Sequence, residues 1–155
     1  MNTYGATPVY ELINQNRCGR LLLNHEIDTP IKGYEVHFRN DRFECRLYKS
    51  GRLFVRALSE WDFGTMAPDT PAMIIASLPH DAFCLMTDAG LLPWKVRRQA
   101  DNFFTSFLFE HCPKGGRFKW RTGLSGLFAG VAWVFVSVNS QFFARWRAQP
   151  YVQPV

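Results

Sequence analysis

The chain has 155 residues, of which 47% are hydrophobic and 15% aromatic, and its formal net charge is +5. This length suits a single domain with a proper core, and the apolar share excludes an intrinsically disordered chain. The four cysteines are scattered without a CxxC or a His/Cys ligand spacing, so we expect buried free thiols and not a disulfide framework. The mild positive charge suits solubility, or an anionic neighbour such as a membrane or nucleic acid, without selecting among them. Nucleic acid is nevertheless not an expected partner.

The N-terminal half predicts strands. Residues 1–33 show little periodicity and are expected to form an irregular N-terminal arm, with one short strand at Arg20–Leu23. Apolar and polar residues then alternate within residues 34–66, and turn signals at Asn40-Asp41 and Lys49–Gly51 separate three segments. This pattern predicts a small antiparallel β-meander with one wet face. The wet face carries several arginines interrupted by glutamates, which favours a solvated surface over a phosphate site.

Residues 67–147 predict the helical part of an α+β fold. Thr70 can cap a first helix and Pro71 suits its first turn, because the missing N–H costs nothing there. Gly90 is a plausible stop and Pro93 a second start. A link this short predicts that the two helices pack as an antiparallel hairpin.

The most apolar run of the chain is Gly123–Ala144, and its length approaches the roughly 20 residues that a bilayer span requires. Asn139 and Gln141 lie within it, however, and its glycines lower its hydrophobicity. We therefore favour a buried C-terminal apolar helix over a membrane span, followed by an extended tail at residues 148–155. All of these parts are expected to form a single domain, 1–155.

The candidate site lies on the predicted hairpin. His80 and Asp81 fall on the first helix, and Asp101 falls beside the apolar stripe of the second. Asp101 has two interpretations, a surface ion pair with Arg97 one turn earlier or a half-buried carboxylate that orients His80. Asp81 likewise is either a cap residue of a helical turn opened by Pro79 or a ligand for a cation.

Two segments of this hairpin carry a resemblance. His80-Asp81-Ala82-Phe83-Cys84 resembles an HDxLY helix, and Arg97-Arg98-Gln99-Ala100-Asp101-Asn102-Phe103-Phe104 resembles an RxxADxxF helix. Both are features of the phage and prophage family known as domain of unknown function family 1353. Phe83-Cys84 stands where that family has Leu-Tyr. The resemblance implies a virion protein that is made in the host cytoplasm and contacts other virion proteins or copies of itself.

The hairpin is also similar to that of the secreted phospholipases that cut the sn-2 ester. In those enzymes a histidine activates water, the next aspartate holds calcium, and an aspartate on the antiparallel helix orients the histidine. The resemblance assigns these roles to His80, Asp81 and Asp101. Asp62 and Asp69 are the acidic residues that precede His80 most closely in the sequence, so either could complete a cation site, although each is more often a turn or cap residue. Calcium is the cofactor that the resemblance implies. The chain supports it only in part, because no glycine-rich calcium loop precedes His80.

Three functions are therefore considered. The first is a virion-associated phage protein of the tail or of cell penetration, with a hydrolase-like His-Asp centre. The second is an active metal-assisted hydrolase of a cell-envelope component such as phospholipid, which would contact the host membrane. The third is a phage protein inserted in the membrane through Gly123–Ala144.

Overall fold

The computed structural model of the chain describes residues 7–13, 18–62 and 71–111. In order, these residues form seven short strands and two helices, which confirms the α+β prediction. The strands are β1 (Tyr10–Ile13), β2 (Cys18–Leu21), β3 (His25–Asp28), β4 (Val36–Arg39), β5 (Glu44–Leu47), β6 (Arg52–Val55) and β7 (Glu60–Asp62). The helices are α1 (Pro71–Asp88) and α2 (Lys95–His111).

The predicted meander is present as strands β4, β5 and β6, which pair antiparallel with their neighbours in sequence. Asn40 makes the first turn by accepting the backbone N–H groups of Arg42 and Phe43 at 2.9 and 2.7 Å. Gly51 makes the second turn with a φ of +92°, a conformation that side-chain-bearing residues rarely adopt. The inner face is buried and apolar, as the alternation predicts; it includes Phe38, Phe43, Cys45, Leu47, Leu53 and Val55.

The prediction of an irregular N-terminal arm is wrong. Strand β3 extends the meander into a four-stranded sheet of order β3-β6-β5-β4, and strands β1 and β2 form a second sheet with β7. Each of these strands has three or four residues, too few for an alternating pattern to stand out. Gly19 also resembles a turn signal, although its real role is to admit the Trp61 ring. A Cβ at Gly19 would lie 2.6 Å from two atoms of that ring.

The helical hairpin follows the signals in the sequence. Pro71 opens α1, and Gly90 ends it with a φ of +73°. The Leu91 N–H donates to the Met86 carbonyl at 2.9 Å, and the Gly90 N–H donates to the Thr87 carbonyl at 3.0 Å. Together these bonds make a Schellman cap. The predicted cap at Thr70 lies outside the described residues.

The two helices run antiparallel, because contacts that move towards the start of α1 move towards the end of α2. Asp88 pairs with Arg97, whereas His80 contacts Asp101 and Phe104. The stripe predicted on α2 is buried where it is described: Val96, Ala100, Phe103, Phe104 and Phe107.

Trp61 joins the sheet of β1, β2 and β7 to α1. Its indole N–H donates to Ser77 Oγ at 3.0 Å and to the Ile74 carbonyl at 3.3 Å, and its ring meets Tyr10 edge-on. Since Trp61 is 3% exposed, this contact fixes α1 from inside the core.

The described helices include none that is both long and apolar enough to cross a bilayer. The Gly123–Ala144 run and the expected tail at 148–155 lie outside the described residues.

Candidate functional site

The functional side chains on α1 follow a proline inside the helix. Pro79 has no N–H to donate to the Ile75 carbonyl one turn earlier, which weakens the helix just before His80. In the same turn the Ile74 carbonyl accepts hydrogen bonds from Ser77 Oγ at 2.8 Å and from the Trp61 indole. The sheet therefore supports α1 where its own backbone bonding is interrupted.

His80 and Asp101 meet across the seam of the hairpin. His80 Nε2 lies 2.9 Å from Asp101 Oδ1, so the contact predicted from spacing is present. Asp101 is only 3% exposed, and the Phe104 ring covers the imidazole at a centroid distance of 5.2 Å. Asp101 is thus a buried carboxylate with a histidine partner. The catalytic roles of the two residues stay a prediction.

Arg97 does not form the surface ion pair with Asp101 that was the alternative prediction, but forms an ion pair with a different residue. The Arg97 guanidinium instead pairs with Asp88 at the end of α1 and lies 5.1 Å from the centroid of the Trp94 ring. Arg97 is itself buried, since it closes the hairpin near its turn. The ion pair and the His80–Asp101 contact therefore hold the two helices at separate points.

Asp81 faces β7. Burial raises the pKa of Asp81, and the nearby Asp62 carboxylate adds to this effect. His80 and a hydrogen bond with the Asp62 backbone partly offset it. Asp81 lies in the middle of an 18-residue helix, so its interpretation as a cap residue is wrong. Pro79 does not open a helical turn but lies within α1.

The described residues do not by themselves fit calcium. Asp81 has Asp62 as an acidic neighbour, whereas calcium takes about six to eight oxygen ligands. Over residues 7–13, 18–62 and 71–111, no three His, Cys, Asp or Glu side chains are grouped so that they could hold a metal ion. Asp69, the second predicted ligand, lies outside these ranges.

Cys84 belongs to the site, although the sequence analysis did not assign it a role. Its sulfur lies 3.8 Å from both ring nitrogens of His80. The signal was available, because residues four apart share one face of a helix. Cys18, Cys45 and Cys84 are the described cysteines, and all three are reduced. Cys45 is buried as predicted, whereas Cys18 and Cys84 are half-buried.

The groups around the imidazole of His80 shift its pKa in opposite directions. Burial lowers the pKa of His80, but the Cys84 sulfur, the hydrogen bond with Asp101 and the Asp81 carboxylate 3.8 Å from Nδ1 raise it well above its ordinary value. A buried imidazolium is favoured only when such partners compensate its lost hydration. We therefore expect His80 to be protonated at neutral pH.

Comparison with protein-family models, curated proteins and solved structures finds no match to this chain. The resemblances noted in the sequence stay predictions.

Proposed function

We propose that this chain is a virion-associated phage protein with a hydrolase-like centre, in which His80 and Asp101 cleave an ester of the cell envelope such as a phospholipid. The observation that carries the chemistry is the 2.9 Å hydrogen bond between His80 Nε2 and Asp101. The assignment to a phage virion depends on the resemblance of the two helices to the phage family.

The Asp101 carboxylate selects the nitrogen that acts as base. An ionised carboxylate only accepts hydrogen bonds, so Nε2 carries the proton that it donates to Asp101. Nδ1 of the neutral imidazole then holds the lone pair and can remove a proton from water. The resulting hydroxide attacks the ester carbonyl, and the same imidazolium returns its proton to the leaving alcohol.

Exposure supports chemistry over a purely structural lock. The Asp101 side chain is 4% exposed, the His80 side chain 13%, and the Asp81 side chain 29%. His80 is therefore the more exposed partner of the pair, as a reacting group has to be.

The test is hydrolysis of phospholipid vesicles by the full chain, with calcium present or chelated. We expect His80→Gln to lower the rate of fatty-acid release by about 100-fold or more, because it removes the general base. Asp101→Asn should lower the rate too, since it removes the group that orients the imidazole. The rate should rise towards alkaline pH, because the raised pKa of His80 leaves little free base at neutral pH.

A matched control is His37→Gln. His37 also contacts a carboxylate, Glu44 at 3.3 Å, but it lies on the exposed face of the meander. This variant should keep the full rate. Equal rates for the parent chain and a folded His80→Gln variant, at every pH and with or without calcium, would refute the proposal.

A further inference from the structure

Cys84, His80 and Asp101 form a cluster at the seam of α1 and α2. The Cys84 sulfur lies 3.8 Å from both nitrogens of the imidazole, and the imidazole in turn contacts Asp101 at 2.9 Å. Cys84 is only partly buried, so small molecules can approach its sulfur. A thiol next to an imidazole that a carboxylate orients is the arrangement that nucleophilic catalysis requires.

The charges around the imidazole favour this use of the thiol. A protonated His80 beside the sulfur stabilises a thiolate, which is the nucleophilic form of cysteine. Asp101 on α2 contacts Nε2 of the same imidazole at 2.9 Å. Asp81 on α1 and Asp62 on β7 are further acidic groups near the imidazole, and their charges oppose a thiolate.

We propose that Cys84 is the nucleophile of this centre and that the ester is cleaved through a thioester on Cys84, not by direct attack of water. This inference rests on the proposed function for its substrate class. It deepens that function: His80 still acts as the base for water, but the water attacks a thioester and not the ester itself.

The thiolate attacks the ester carbonyl carbon, the carbon–oxygen bond breaks, and the alcohol leaves with a proton from the His80 imidazolium. The neutral imidazole then takes a proton from water, the hydroxide attacks the thioester, and the carboxylic acid is released. The carbon–sulfur bond breaks, which restores the thiolate beside the imidazolium.

The position of the sulfur constrains the first step. Because the sulfur is equally distant from both nitrogens, it lies off the in-plane axis of Nδ1. Attack therefore involves rotation of Cys84 about its single side-chain torsion, which leaves the His80–Asp101 bond in place. Hydrogen bonds in a site without substrate are commonly long and poorly aligned.

The first experiment measures thiol reactivity with iodoacetamide, cysteine by cysteine, by mass spectrometry of the full chain between about pH 5 and pH 9. Two other cysteines serve as internal references. Cys45 is buried and its pKa is raised to about 12, so it should not react. Cys18 is half-buried and lies 2.9 Å from the Asp62 carboxylate, which disfavours its thiolate.

We expect Cys84 to react faster than Cys18 and Cys45. In the His80→Gln variant the Cys84 rate near pH 6 should fall by about tenfold or more, because the imidazolium is lost. The inference is overturned if the alkylation rate of Cys84 depends on pH in the same way as that of Cys18. It is also overturned if His80→Gln leaves the Cys84 rate unchanged in a folded chain.

The second experiment separates this inference from the proposed function. With p-nitrophenyl acetate as substrate, an acid quench should trap an acetyl group on Cys84, and Cys84→Ala should abolish hydrolysis of this ester and of phospholipid vesicles. Cys18→Ala should keep both activities. Hydrolysis that survives Cys84→Ala but not His80→Gln would overturn the nucleophile and leave the general base. If Cys84 is alkylated as expected but the parent chain does not hydrolyse vesicles, the proposal that phospholipid is the substrate is refuted instead.

Discussion

His80 experiences two opposing effects, and their balance decides its charge. Burial alone would keep the imidazole neutral, since a buried ion loses its hydration. A hydrogen bond to a charged partner offsets this by about 1.5–3 kcal/mol, and Asp101 provides one at 2.9 Å. The Cys84 sulfur adds to this, and together these partners raise the pKa of His80 well above its ordinary value despite its burial.

The charge of His80 should be visible in the pH dependence of stability. Its pKa is raised in the folded chain, so the folded state binds the proton more tightly than the unfolded state does. The extra stability is complete below the ordinary value of 6.5 and is lost as pH rises through the raised value. Each tenfold difference in proton affinity is worth about 1.4 kcal/mol.

Urea unfolding of the parent chain and of His80→Gln, at about pH 5 and about pH 9.5, measures this effect. The parent chain should exceed the variant by more at the lower pH, and Asp101→Asn should remove most of that difference. A stability advantage that is larger at the higher pH would contradict the raised pKa.

The parts of the site that depend on residues close in the sequence could be predicted from the sequence. Proline and glycine signals fix the turn between the helices, and this turn brings Asp101 back to His80. The i, i+4 spacing of His80 and Cys84 was equally readable. Asp62 was a candidate only because it precedes His80 closely in the sequence. Its approach to Asp81 depends on how β7 packs against α1, which no local pattern encodes.

At the element scale, the hairpin depends on Gly90. This residue has a φ of +73°, and its N–H and that of Leu91 cap the last carbonyls of α1. Gly90→Ala should lower the free energy of unfolding by about 1 kcal/mol, because a Cβ disfavours the left-handed conformation. Gly90→Asn should cost less, since asparagine tolerates this conformation. Urea denaturation measures both variants, and equal losses would show that backbone strain is not the cause.

The helices could be predicted from the sequence and the N-terminal strands could not, because only the helices repeat a pattern over several turns. The α2 stripe repeats over several turns, so its period can be read from one segment. Strand β2 pairs with β1 on one side and with β7 on the other, and Cys18 lies opposite Asp62, far along the chain. Such a sheet is specified by distant partners and by the fit of Gly19 against Trp61.

For the molecule as a whole, Trp61 is the main link between the small sheet and the helical hairpin that carries the cluster. It contacts Tyr10 on β1 and covers Gly19 on β2, while its indole N–H reaches Ser77 and the Ile74 carbonyl on α1. These bonds lie one to two turns before His80. The sheet therefore holds the part of α1 that Pro79 weakens.

Trp61→Phe should separate this link from a general loss of aromatic surface. The smaller ring leaves a cavity and lacks the indole N–H, so we expect a loss of about 2–4 kcal/mol in the free energy of unfolding. Trp94→Phe is the matched control: Trp94 is 50% exposed and mainly stacks on Arg97, so its loss should be about 0.5 kcal/mol. Amide hydrogen exchange should show lower protection in both α1 and β2 for Trp61→Phe, because the two elements lose their shared support. Protection that falls in β2 alone would mean that α1 is held by α2 and not by the sheet.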